Sequence, residues 1–225
     1  MLKKATTASI KTTASKPTPL FSRLGALLLV IGMVVTFFIS QLIGVYIAGK
    51  LILPATKNAT MGDIFFFGSN DGTVVSLSII IGCVLLVAVS ALLIRVRGGN
   101  VRKYLALQPF SWSVGIGMLG LLLIFMIGSQ ALTYLLNESP LVFVDPLYQS
   151  VSSVWLLIFA MVIVAPIYEE LIFRGLLWSA IAEQFSNVAN AEHRGTIVAS
   201  LVTSVIFAVI HLQYGIYEIG TIVVL

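Results

Sequence analysis

Long apolar runs constrain the fold of this sequence more than any other feature. The first, 24–48, has 25 residues, and about 20 apolar residues cross the hydrocarbon core of a bilayer. Further runs lie near 74–94, near 114–136, from 151 onward and near 196–211, and another begins at 216. Because neither strand alternation nor an internal repeat is visible, the sequence predicts an all-α, polytopic transmembrane helix bundle. It has about five complete spans and a partial sixth.

The composition excludes a water-soluble domain. Of the residues, 59% are hydrophobic and 10% are charged, with a mean hydropathy of +1.06, whereas soluble domains have about 25% charged residues. The surface therefore faces membrane lipid, which we expect to be the main partner, and we expect no nucleic-acid partner. The single cysteine, Cys83, excludes an internal disulfide framework.

Basic residues at two places predict the orientation. Five of them precede the first apolar run without an acid among them, and four more lie in 95–103. The positive-inside rule makes these segments cytoplasmic and places loops 49–73 and 137–150 outside. We expect a disordered cytoplasmic segment at 1–20, rich in Thr, Ser and Lys, and a single transmembrane domain over 21–225. The protein is then a multi-pass protein of the bacterial cytoplasmic membrane. The first run is too long for the apolar region of a signal peptide, about 7–15 residues.

The fourth apolar run contains three formal charges in the stretch "PIYEELIFRGLL", 166–177. The apolar pattern resumes after Arg174, which predicts one long helix over about 151–185, kinked at Pro166. Glu170 and Arg174 are four residues apart, so they share a helix face and form a structural ion pair within the bundle. Glu169 is rotated about 100° from Glu170. An ionisable group in a membrane helix faces the bundle interior and is a candidate functional residue.

The fifth apolar run supplies a partner for this glutamate. Phe207 and His211 are four residues apart in "SVIFAVIHLQYG" and share a face. Glu169 and His211 are equally distant from residue 190, in the polar stretch between the two runs, so an antiparallel hairpin places them at one depth. A buried carboxylate beside an imidazole is the minimum for proton transfer. We expect the two side chains within reach of one bridging water, about 5–6 Å apart at most. His193, in the polar stretch, is instead expected at the membrane interface.

Together these motifs resemble those of the CAAX-protease and bacteriocin-processing family of intramembrane endopeptidases. "EELIFR" resembles the family's E-E-x-x-x-R motif and "FAVIH" its F-x-x-x-H motif, within a core at about 150–225. The resemblance implies that Glu169 activates a water and that His211 assists it. Glu170 and Arg174 would then support the site as a pair, with Phe207 in the second motif. The implied substrate is a membrane-associated peptide or a lipidated protein.

Two further expectations follow from the resemblance. The sequence has no H-E-x-x-H zinc helix, so we expect no metal and no other cofactor. The family's third motif, an H-x-x-x-N/D element on a later helix, has no counterpart before Leu225. We therefore expect a partial copy or an inactive relative. The alternatives to a protease are a non-catalytic membrane protein, such as a bacteriocin immunity factor or scaffold, and a small proton-coupled transporter.

Overall fold

A computed structural model describes residues 18–53, 60–137, 144–185, 192–211 and 219. These residues form helices and connecting turns, with no strand among them. The helices, in chain order, are α1 (Arg23–Ile52), α2 (Met61–Gly68), α3 (Gly72–Val96), α4 (Val101–Tyr104), α5 (Trp112–Leu135), α6 (Asp145–Ser150), α7 (Val154–Phe185) and α8 (Glu192–Val209).

The prediction of an all-α membrane bundle is confirmed. In the described part of the chain, α1, α3, α5 and α7 are long and apolar enough to cross a membrane, and α8 is a shorter apolar helix. The partial sixth span predicted from 216 lies outside the described residues apart from Ile219. The short helices α2 and α6 occupy loops that the apolar pattern left without structure.

Polar caps explain why three spans begin slightly earlier than the apolar pattern predicts. The hydroxyl of Ser22 accepts from the backbone N–H of Gly25, Asp71 caps α3, and Ser111 caps α5. Each cap satisfies a backbone N–H that the first helical turn leaves without a partner. A similar exchange between Thr60 and Asp63 forms a capping box at the start of α2.

Helices α1 and α3 pack closely along their length. A Cβ built on Gly44 of α1 would lie 2.7 Å from the Ser78 carbonyl oxygen of α3. Only a glycine therefore permits this approach of the two backbones, and small residues serve the same purpose at other membrane-helix interfaces. The α1–α3 pair packs in turn against α7, around a core in which Met33, Leu86 and Leu176 are almost completely buried.

Contacts between the connecting segments show which of them lie at the same end of the bundle. At one end, Leu20 and Tyr104 both donate to Glu183, at 2.9 and 3.3 Å. At the other, the backbone N–H of Gly72 donates to the Ser150 hydroxyl at 2.9 Å. The basic segments therefore share one end and the loops assigned outside share the other, as their charges predict. Which end faces the cytoplasm stays a prediction.

Helix α7 is continuous, as predicted, but it is not uniformly α-helical. It begins at Val154 rather than 151, and π-helical stretches occur at Phe159–Val164 and Glu170–Leu177. Pro166 lies in the α-helical turn between them. The predicted kink at Pro166 stays a prediction. The π stretches are themselves informative because such insertions in α-helices are frequent at functional sites.

Helix α5 differs from the other spans in its exposure. Thr133 is the buried residue of this helix, and most of its apolar side chains are exposed, with Ile124 and Ile127 each 70% exposed. An apolar surface of this extent is compatible with lipid and not with water. Among the described residues, more large hydrophobic side chains are exposed than buried.

Candidate active site

Glu169 and His211 meet between α7 and the end of α8. The carboxylate oxygen Oε1 of Glu169 lies 3.8 Å from Nε2 of His211. Both side chains are largely enclosed, with 17% of Glu169 and 13% of His211 exposed. The predicted proximity is confirmed, and it is closer than the limit set from the sequence. At this separation the two atoms are beyond a direct hydrogen bond but within reach of a single water beside them.

The orientation of His211 is set by Phe207. The ring nitrogen Nδ1 of His211 lies 2.7 Å from the Phe207 carbonyl oxygen, and the two rings are 4.5 Å apart between centroids. Because a carbonyl oxygen can only accept, Nδ1 must carry a proton and donate it. In a neutral imidazole Nε2 is then an acceptor, and this atom faces Glu169. Nε2 therefore accepts a proton from the glutamate or from a water, and it donates only when the ring is an imidazolium.

This arrangement corrects the predicted end of the fifth helix. α8 ends at Val209, two residues before His211, whereas the sequence extended the span to 211. His211 lies in the turn that follows, and its backbone N–H donates to the carbonyl of Ala208 at 3.0 Å. The four-residue spacing of Phe207 and His211 still brings their side chains together.

A second aromatic residue, Phe173, completes the support and was not identified from the sequence. Its ring packs edge-on against Phe207 with centroids 5.0 Å apart, and only 4% of the residue is exposed. Phe173 thus links the helix of Glu169 to the side chain that orients His211. The sequence spacing could have identified Phe173, since it follows Glu169 by four residues and shares its helix face.

The Glu170–Arg174 pair forms as predicted, but its predicted position inside the bundle is wrong. The Arg174 guanidinium contacts Oε1 of Glu170, and the two side chains are 53% and 54% exposed. The adjacent Glu169 has less than a third of this exposure. The two glutamates therefore lie on different faces of α7, with Glu169 toward α8 and the ion pair on the outer surface.

A groove with three hydroxyl side chains in its lining lies beside this ion pair. It has a volume of about 330 Å³ and is lined by Arg174 and Trp178 of α7 and by Ser200, Thr203 and Ser204 of α8. The Trp178 indole donates to the Ser200 hydroxyl at 3.1 Å. The groove adds hydroxyl groups to the interface of the two helices that hold Glu169 and His211. His193, at the start of α8, is exposed, which agrees with an interfacial position.

Among the described residues, few side chains at the site could bind a metal ion. Glu169 and His211 are the metal-type ligands that meet here, and no group of three His, Cys, Asp or Glu side chains suited to a metal occurs within the described ranges. Two ligands are fewer than the three that catalytic zinc sites use. The expectation that the site works without a metal stays a prediction.

Comparison with known proteins agrees with the motifs. The family model described as type II CAAX prenyl endopeptidase Rce1-like matches residues 151–225. The match covers about a third of the chain and includes Glu169, Glu170, Arg174, Phe207 and His211. No match was found among curated proteins or among solved structures. The resemblance predicted from the two motifs is therefore confirmed: residues 151–225 are similar to the Rce1-like type II CAAX prenyl endopeptidases.

Proposed function

We propose that this chain is an intramembrane endopeptidase of the CAAX prenyl protease type. It would hydrolyse a peptide bond in a membrane-associated or prenylated protein or peptide. The observation that carries the proposal is the enclosed contact between Glu169 and His211 on adjacent apolar helices. The match of residues 151–225 to the family model adds to it.

The reaction would begin with a water held beside Glu169 and His211. The Glu169 carboxylate takes a proton from this water, and the resulting hydroxide attacks the carbonyl carbon of the scissile bond. The π bond of that carbonyl breaks, and its electron pair becomes an oxyanion. When the tetrahedral intermediate collapses, the C–N bond breaks and Glu169 returns the proton to the leaving nitrogen. One water is consumed, and no oxidant or reductant is needed.

His211 would act through Nε2 in one of two ways. In its neutral form it accepts a hydrogen bond from the water and so directs an oxygen lone pair toward the substrate carbonyl. As an imidazolium it donates to the oxyanion. The hydrogen bond of Nδ1 to the Phe207 carbonyl keeps Nε2 turned toward Glu169 in both forms. Phe207 and Phe173 are then positioning residues.

A membrane position suits this chemistry. The enclosed site strengthens interactions with developing charge, because fewer water molecules screen them. A prenylated substrate would be concentrated in the same bilayer by its lipid chain. The proposed location is the bacterial cytoplasmic membrane, with the basic end of the bundle in the cytoplasm.

Reconstituted protein tests the proposal. The chain in proteoliposomes should cleave a farnesylated peptide ending in a CAAX sequence, followed by mass spectrometry of both products. Glu169→Gln keeps the shape of the side chain but cannot take a proton, so we expect cleavage to fall by about 10²–10⁴-fold. The matched control is Glu170→Gln, which changes the adjacent residue in the same way and should retain activity within about tenfold, because Glu170 faces outward.

Two results would contradict the proposal. One is cleavage by Glu169→Gln at the rate of the unaltered protein. The other is the absence of cleavage by correctly folded, unaltered protein with any lipidated or unlipidated peptide supplied. Folding of each variant is checked by its elution from size exclusion and its thermal transition.

A further inference from the structure

A basic recess lies at the end of α3, away from Glu169 and His211. Its volume is about 590 Å³, and its lining consists of Arg95, Gly99, Asn100, Val101, Arg102 and Leu107. Arg95 belongs to the last turn of α3, and the other residues belong to the connection that leads to α5. The recess therefore lies where a membrane-spanning helix leaves the hydrocarbon.

The backbone of this connection is fixed by its own hydrogen bonds. The Leu107 N–H donates to the Arg102 carbonyl at 2.9 Å, and the Arg102 side-chain Nε donates to the Leu107 carbonyl at 3.0 Å. Gly98, with φ of +76°, turns the chain after α3, and the Gly99 N–H returns to the Ile94 carbonyl at 2.9 Å. A ligand would meet a recess that is already formed, so less binding energy is used to order it.

The polar groups of the recess are donors. Within the described ranges neither Arg95 nor Arg102 has a carboxylate at ion-pair distance, in contrast to Arg174 with Glu170. Arg102 uses only Nε in holding Leu107, which leaves its two terminal nitrogens to bind. Asn100 accepts the Lys103 N–H at its side-chain oxygen, so its amide NH₂ remains a donor. Two guanidinium groups and an amide form a set that matches the oxygens of a phosphate.

The apolar surroundings suggest where the phosphate would come from. Val101 and Leu107 form the apolar part of the lining, and Leu107 is 46% exposed. Phe110 and Trp112, which follow directly, are 73% and 86% exposed. Aromatic side chains of this kind gather at the level of lipid headgroups, and basic pockets beside membrane helices bind anionic headgroups.

We propose that the recess of Arg95, Asn100 and Arg102 is a binding site for a phosphate group, supplied by the headgroup of an anionic phospholipid. The two guanidinium groups bind the phosphate oxygens, Asn100 donates a further hydrogen bond, and the glycerol backbone lies toward Val101 and Leu107. Binding of a phosphate here does not require the proposed protease activity.

Lipid titration tests this site. The thermal transition of the purified full chain is measured in micelles with increasing phosphatidylglycerol, with phosphatidylcholine as the neutral lipid, at constant ionic strength. Phosphatidylglycerol should raise the transition in a saturable way, and phosphatidylcholine should not. Arg95→Gln and Arg102→Gln should each raise the phosphatidylglycerol concentration at half-saturation about fivefold.

The control is Arg23→Gln, which removes the same charge from an exposed residue at the same end of the molecule but outside the recess. It should leave the half-saturation point within about twofold of the unaltered protein. Arg95→Gln is the principal variant, because Arg102 also holds the Leu107 carbonyl and its replacement can disturb the connection.

Inorganic phosphate distinguishes the two sources of the ligand. If it produces no saturable shift while phosphatidylglycerol does, the site recognises the headgroup in its lipid. If it produces a saturable shift that Arg95→Gln and Arg102→Gln abolish, the site binds phosphate from solution as well. If Arg95→Gln, Arg102→Gln and Arg23→Gln weaken binding equally, the lipid is attracted by general surface charge, and the proposal is overturned. A response to phosphatidylcholine equal to that to phosphatidylglycerol would overturn it too.

Discussion

Gly44 provides the sharpest test of how the bundle is packed. An added Cβ would lie 2.7 Å from the Ser78 carbonyl oxygen and 3.0 Å from the Ser78 Cα. Both are backbone atoms of α3, so no side chain can rotate to make room. Gly44→Ala must therefore push α1 and α3 apart or distort one of them.

The magnitude follows from two opposing effects. Alanine in place of glycine favours the helix by about 1 kcal/mol. Overpacking of a close contact costs typically about 1–3 kcal/mol. Gly32 lies on the same helix, is exposed, and has nothing within 4 Å of an added Cβ. Gly32→Ala therefore has the favourable effect alone, and the difference in free energy of unfolding between the two variants should be about 1–3 kcal/mol, with Gly44→Ala less stable.

Unfolding in mixed micelles, followed by circular dichroism, measures this difference. Comparing the two alanine variants cancels the change in helix propensity, so the result isolates the contact with Ser78. If Gly44→Ala were as stable as Gly32→Ala, the α1–α3 interface would not be as close as the structure has it, and the packing argument would fail.

Two further predictions concern the ion pair and the orientation. Arg174→Ala should lower the free energy of unfolding by less than about 3 kcal/mol, because both side chains of the pair are about half exposed; a loss of about 3–5 kcal/mol in thermal or chemical unfolding would show that the pair is buried after all. For the orientation, cysteines replace the exposed residues Ser69 or Gln108 in a protein carrying Cys83→Ala. An impermeant thiol reagent should label intact cells at position 69 and not at 108, and the opposite labelling would reverse the assignment.

The positions of the spans could be predicted because hydropathy alone decides which segments enter the bilayer. Each of the five complete apolar runs forms a helix, and three of these helices begin slightly before their runs because Ser22, Asp71 and Ser111 add a polar cap. The contact of Glu169 with His211 could also be predicted, because a hairpin fixes the relative depth of its two helices.

The burial of the Glu170–Arg174 pair was wrongly predicted because spacing assigns residues to a common face without saying where that face points. The apolar pattern of α7 gives the missing direction. Ile172, Phe173 and Leu176 are buried, and they follow Glu169 by three, four and seven residues, the spacings of one helix face. Glu169 therefore shares the inward stripe, whereas Arg174 lies outside it.

The contacts of the sequence-distant segments could not be predicted, since nothing in the local pattern joins residues 20, 104 and 183. Leu20, which the sequence assigned to the disordered segment, donates to Glu183, and so does the Tyr104 hydroxyl. Burial raises the pKa of Tyr104 above its usual range, and the neighbouring Glu183 raises it further, so the phenol keeps its proton and can donate.

These contacts connect the basic recess to the helix of the candidate active site. Leu105 follows Tyr104 and packs against Gly175, where an added Cβ would lie 3.2 Å from its side chain. Gly175 is the residue after Arg174, within the second π-helical stretch of α7. The connection between α3 and α5 thus holds the recess on one side and supports α7 on the other. A ligand that binds only the folded connection stabilises it by an amount that rises with the ligand's concentration and affinity, so a headgroup in the recess would also stabilise the support of α7 close to Glu169.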